Sequence, residues 1–156
     1  PPEGIPRAEL RARYGLGDRD PMRDRFAAAG LDYAPPPDLV PNTRTALRLT
    51  ELARDRDLHE PFHDRLMAAY WTEQSNLADP AELRRLAAEV GLPADDIERV
   101  LDDGEAYLDR VLDSTRQAQS IGITGIPAFL LDRRLLVLGA QPQEVFRQAF
   151  AQLAGD

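Results

Sequence analysis

The 156-residue chain contains no cysteine. That absence removes disulfides, thiolate nucleophiles and cysteine-based metal sites from these residues, and leaves the redox compartment unread. Lysine is missing too, so all 19 basic residues are arginine. Arginine holds its charge and pairs bidentately, although a GC-rich genome would produce the same bias. There is no excess of positive charge: 27 acidic against 19 basic residues leave a formal charge of −8, which argues against a nucleic-acid surface. No window approaches the roughly 18 apolar residues of a membrane span. The opening PPEGIPRAEL lacks a basic stretch followed by an apolar run. The expectation is a cytoplasmic protein with no membrane partner.

What is present is a chain that can bury a core: at ~150 residues folding removes roughly 70% of the unfolded surface from water. Its 13 prolines and 10 glycines imply many short elements separated by turns. Pro6 and Gly15 bracket a short helix near 6–14, and Asp18 to Pro21 supply cap and entry residues for MRDRFAAAG, which closes at Gly30. Three successive prolines, Pro35 to Pro37, favour an extended, stiff connector. Residues 1–41 thus read as an N-terminal helical and proline-rich connector.

From residue 42 to 121 everything reads as helix. Asn42 is a good N-cap for TRTALRLTELARDR, where Ala46, Leu49 and Ala53 form an apolar stripe widened by Leu47 and Leu52. Arg48 on that helix reads as a solvated surface charge. Pro61 opens the next helix, with Phe62, Leu66, Ala69 and Tyr70 on one face, and Tyr70 and Trp71 are expected to anchor the core. Asp79, Pro80 and Glu82 form a cap, a first-turn proline and a third-position acid ahead of a stop at Gly91. Pro93 begins a helix that fades at Asp102 to Gly104, and the run that follows turns Tyr107, Val111, Leu112 and Ala118 toward the core.

After Gly122 the pattern changes. Ala128 to Leu131 and Leu135 to Leu138 are short apolar runs around Asp132, Arg133 and Arg134, a hairpin with a polar turn. Apolar strands without alternation are normally covered on both faces. Pro142 then starts a last helix with Val145, Phe146, Phe150 and Leu153 on one side. A two-stranded hairpin is marginal in water, and its open edge is a template for association. Further β-structure before Pro1, or a homodimer through that edge, is therefore expected.

The literal H-E-x-x-H at His59-Glu60-Pro61-Phe62-His63 matches a zinc-peptidase pattern. Pro61 argues against it, because a helix beginning at Pro61 leaves His59 outside and the two imidazoles on different faces. A third ligand would have to be a carboxylate such as Glu73, Asp79 or Glu82. No metal site is expected.

Gly122-Ile123-Thr124-Gly125-Ile126-Pro127-Ala128-Phe129 resembles the cis-proline loop of DsbA-like thioredoxin-fold proteins. Asn42-Thr43 with Ala46 and Leu49, Ala69-Tyr70-Trp71, Gly91-Leu92 and Gly139-Ala140-Gln141-Pro142 are similar to the FrnE branch of that family. The resemblance runs from about Pro1 to Leu153. It implies an α/β, partial thioredoxin-like fold: a large inserted helical domain at 42–121, and a C-terminal part at 122–156 with loop, hairpin and helix. It further implies a thiol–disulfide oxidoreductase whose catalytic Cys-x-x-Cys unit lies upstream of Pro1, with no catalytic residue and no cofactor in the chain itself. Thr124, Gly125, Ile126 and Pro127 would bind substrate, a thiol or disulfide peptide or glutathione, and Asn42 would contact it or serve only as a cap. Taken by itself Pro127 reads as a trans proline, since about 5% of X–Pro bonds in folded proteins are cis; the resemblance implies cis. Two alternatives stay open: a glutathione-dependent isomerase of the 2-hydroxychromene-2-carboxylate type, against which the Gln141 position counts, and a non-catalytic peptide-binding module.

Overall fold

The computed structural model describes residues 1, 4–15, 21–35 and 37–155. The cap expected at Asp18 to Asp20 and the middle of the proline run, Pro36, lie outside them. The chain divides into two compact units, Pro1–Val111 and Leu112–Asp156.

The first unit opens with strand β1 (Ile5–Pro6) and helices α1 (Arg7–Arg13) and α2 (Pro21–Ala28), followed by strand β2 (Leu39–Val40). β1 and β2 pair antiparallel, with Ile5 opposite Val40. Gly4 makes this closure possible: its φ is +112°, and a Cβ there would lie 2.2 Å from the Val40 carbonyl oxygen. This small ladder was not foreseen, because two-residue strands carry no periodicity to detect.

Helices α3 (Arg44–Asp55), α4 (His59–Thr72), α5 (Pro80–Glu89) and α6 (Ala94–Asp102) form the body of the unit. Phe62, Leu49, Leu52, Leu83, Leu86, Ile97 and Val100 are fully buried between them. Leu52 belongs to the α3 stripe as expected, but Leu47 is 47% exposed. Tyr70 and Trp71 are only half-buried. They join Phe26 and Tyr33 in a peripheral aromatic cluster, with Phe26 and Trp71 centroids 5.6 Å apart. The core is aliphatic around Phe62, and the large rings close it from the side.

Two helix starts differ from the sequence reading. α4 begins at His59, two residues ahead of Pro61. The first N–H groups of a helix have no intrahelical acceptor, so a proline in the first turn forfeits nothing. The helix after α6, α7 (Leu108–Ser120), leaves Tyr107 outside it, at φ +63°. Among the described residues α7 buries no side chain, and Leu112 is 41% exposed.

The second unit holds the remainder of α7, strands β3 (Ala128–Leu131) and β4 (Leu135–Leu138), and helix α8 (Gln143–Ala154). The strands pair antiparallel with Phe129 opposite Val137. Their turn is closed by the Arg134 N–H donating to the Leu131 carbonyl at 3.0 Å. Asp132 and Arg133 are both left-handed, as hairpin turns of the primed type require. Side chains alternate across a strand, so Phe129, Leu131, Leu135 and Val137 share one face, and α8 covers it. Phe129 meets Phe146 edge-on at 4.9 Å, and Val137 and Ala149 are buried there. On the opposite face Leu130 and Leu138 remain 45% and 44% exposed. The expectation of cover on both faces is met on one.

Candidate functional site

The glycine-bounded loop after α7 is positioned by a helix stop and a hairpin. Gly122 adopts φ +87°, which lets its N–H reach the Gln119 carbonyl and the Ile123 N–H reach the Ala118 carbonyl, both at 3.0 Å. This double closure ends the helix in a left-handed turn that glycine permits without a Cβ penalty. At the other end the Pro127 carbonyl accepts the Gly139 N–H at 2.8 Å, tying the entrance of β3 to the exit of β4. Gly139 has φ +80°, and the Gln141 carboxamide donates to the Leu138 carbonyl at 2.8 Å.

Between these fixed ends Thr124, Gly125, Ile126 and Pro127 are all exposed, Ile126 at 94%. The Ile126–Pro127 peptide bond is cis. Within its own unit, among the described residues, the Ile126 backbone N–H and C=O have no hydrogen-bond partner. The loop carries no titratable side chain and therefore no acid or base. What it presents is an open length of backbone beside an apolar side chain, which suits pairing with an extended segment.

Asn42 belongs to the other unit, and the structure makes its role local. Thr43 holds the position before the first residue of α3 and makes no side-chain cap bond. The Asn42 Oδ1 instead accepts the Arg44 N–H at 3.0 Å, while its Nδ2 donates to the Pro1 carbonyl at 3.2 Å. Half of the four hydrogen-bonding positions of the carboxamide are thereby used. With Pro1, Arg44, Thr45 and Ala78 it lines a cavity of about 340 Å³.

Arg48 is the clearest departure from the sequence reading. It is 3% exposed, and its guanidinium donates to the carbonyls of Ala106 (2.6 Å), Val100 (2.5 Å) and Asp103. Burial pulls its pKa below the usual value, with Asp103 and Glu105 opposing. It ties down the end of α6 and the segment leading to Tyr107.

Above that segment lies a charged cluster with no counterpart in the sequence reading. The Tyr107 hydroxyl donates to Asp55 at 3.1 Å, and Arg110 donates to the same carboxylate at 2.6 Å. Arg110 and Arg99 also lie over the Tyr107 ring, 5.1 and 5.9 Å from its centroid. The Arg110 hydrogen bond, more than that of Tyr107, holds the Asp55 carboxyl below the usual carboxylate range. Arg110 pairs with Asp55, and Arg99 pairs with Asp96 outside the group. The break at Gly104 was visible in the sequence, but Tyr107 read as part of the helical run after it, whereas it stands before α7.

The histidines come together where the sequence reading separated them. With α4 starting at His59, His59 and His63 lie one turn apart, their rings nearly parallel at 10° and 6.2 Å between centroids. The carboxylates considered as a third ligand are engaged elsewhere: Glu73 with Arg65, Glu82 with Ser75 and Arg85, and Asp79 with the N–H of Ala81. Among the described residues no group of three or more His, Asp or Glu side chains is arranged to hold a metal.

Comparison with known proteins bears on the loop and on the fold around it. The model of the DSBA-like thioredoxin domain matches residues 16–151. The crystal structure of a probable DsbA oxidoreductase from Streptomyces coelicolor superposes with a TM-score of 0.85 at 35% sequence identity, covering 97% of this chain and 68% of that one. Among curated protein sequences none matches significantly.

Proposed function

Because the chain belongs to the DSBA-like thioredoxin domain family, we propose that it supplies the substrate-docking loop and helical insertion of a FrnE-type thiol–disulfide oxidoreductase. With no cysteine in the chain, the reactive sulfurs come from residues outside these 156. In that reaction a low-pKa thiolate attacks a substrate disulfide, forming a mixed disulfide and releasing one substrate thiolate. A second enzyme thiolate then displaces the other, so the substrate gains two electrons and the enzyme dithiol becomes a disulfide. The residues present bind and orient; they exchange no electrons.

The observation that carries this reading is the Ile126 backbone, exposed and unpaired within its unit between the Gly122 stop and the Pro127 to Gly139 tie. An extended peptide flanking a disulfide, or the peptide backbone of glutathione, pairs with that N–H and C=O, and the Ile126 side chain lies against it. The isomerase alternative has no observation in its favour.

The test is an amide-resolved NMR titration of the chain with oxidised glutathione and with an extended peptide whose two cysteines form a disulfide. Shifts confined to Thr124, Gly125, Ile126 and Ala128 are the expected result. Ile126→Pro, which deletes the N–H donor, should weaken peptide binding roughly fivefold to tenfold, the loss of about one hydrogen bond. Shifts elsewhere, or no effect of the substitution, would overturn the assignment of this loop.

A further inference from the structure

The pair His59 and His63 is not used by the loop chemistry, and its four-residue spacing on a helix is that of a chelating pair, the rings standing stacked rather than convergent. Both residues lie on α4, four positions apart, and so project from the same side of the helix. The rings are stacked with 6.2 Å between centroids. Among the described residues no hydrogen bond or ion pair engages either imidazole, so each keeps a nitrogen lone pair available in the neutral form. His63 is exposed and His59 half-buried, which leaves His63 free to turn at χ1 and χ2 until one nitrogen of each ring meets a shared ion at about 2.0–2.1 Å.

We infer that His59 and His63 form a two-imidazole site for a late first-row divalent metal ion, filled out by water. Imidazole donors suit copper, nickel and zinc, and affinity rises to a maximum at Cu²⁺. Two protein ligands, with Glu73, Asp79 and Glu82 engaged in other contacts, do not make the closed site of a structural zinc or the three-ligand site of a peptidase. The positive end of the helix disfavours a cation at this position, and the acidic Glu60 in the first turn offsets it, with Asp64 one turn further on. The consequence is mechanical. Pro61 offers no N–H, and the first turn of α4 is its least secured part; an ion bridging His59 to His63 spans that turn.

The experiment titrates the chain with CuCl₂ in a non-chelating buffer, read by calorimetry and by electron paramagnetic resonance. One equivalent of copper with hyperfine structure from two nitrogens is expected. His59→Ala and His63→Ala should each weaken binding roughly tenfold or more. Both substitutions fall near the start of α4, so paramagnetic broadening of amide signals in the unsubstituted chain gives a reading that needs no variant: broadening centred on residues 58–64. Broadening centred on another region, or copper affinity unchanged in the double variant, would overturn the site. So would the absence of saturable binding below about 100 μM. None of these outcomes bears on the 122–127 loop.

Discussion

At Arg48 the fold commits a permanent charge to three backbone carbonyls, those of Val100, Asp103 and Ala106. The planar guanidinium presents several donors in a fixed fork, so one side chain can satisfy acceptors that α6 leaves unpaired at its end. Replacing Arg48 with methionine keeps much of the stem's packing but leaves the Val100 and Ala106 carbonyls without this donor, while the Asp103 carbonyl keeps the Ala106 N–H. Each unsatisfied group costs about 1–3 kcal/mol, and urea denaturation of Arg48→Met should show a loss of about 3 kcal/mol or more. A loss under about 1 kcal/mol would mean that the carbonyls find water. Arg48 was not legible as a buried residue because its partners lie 52 to 58 positions along the chain, beyond any helical periodicity. Asn42 was legible as a helix-starting residue because its acceptor serves a backbone donor two positions away. The same contrast separates Thr124 to Pro127, whose local composition marked a loop, from Tyr107, whose contacts to Asp55 and Arg110 needed the folded chain.

Between α4 and α5 the helices are joined by an arginine–carboxylate lattice. Arg65 contacts Glu73 and Glu89, and Arg85 contacts Glu82 and Glu89. Glu82 accepts from Arg85 and from the Ser75 hydroxyl, and these two bonds, the Arg85 bond foremost, lower its pKa to about 2 against burial, which acts the other way. A carboxyl depressed in the folded state contributes stability above its unfolded pKa near 4.5 and loses it as pH falls toward 2. Glu82→Gln should therefore flatten the acid side of the stability curve between about pH 4.5 and 2, by on the order of 1 kcal/mol after solvent screening. Thermal melts of both chains across that range would measure it, and parallel curves would contradict it. The sequence marked Asp79 and Pro80 correctly as the start of α5, since cap and first-turn proline act within one turn. It marked Glu82 as a third-position acid, whereas the folded chain sends that carboxylate to Ser75 and Arg85. At α4, Pro61 misled because a first-turn proline is compatible with a start at several neighbouring residues.

Across the whole molecule the two units differ in how much they bury. The first holds a connected core from Ala46 to Val100, while among the described residues of the second only Val137 and Ala149 are buried. Opening free energy follows burial, so amide exchange should be slowest in α3, α5 and α6, and at least about 100-fold faster in β3, β4 and α8. Hydrogen exchange read by mass spectrometry would show the difference, and equal protection would mean that the hairpin is held by contacts other than its own. No helix among the described residues is long and apolar enough to cross a membrane. The amino-acid sequence by itself determined the Asp79 cap of α5, the glycine stops, the hairpin and the exclusion of thiol chemistry from these residues, because each depends on neighbours within one turn or on composition. Only the tertiary structure decided that Arg48 is interior, that Tyr107 joins Asp55 and Arg110, and that α8 covers one hairpin face. Those outcomes require groups distant along the chain to meet, and the free energy of burying a side chain is set by the partners it finds there.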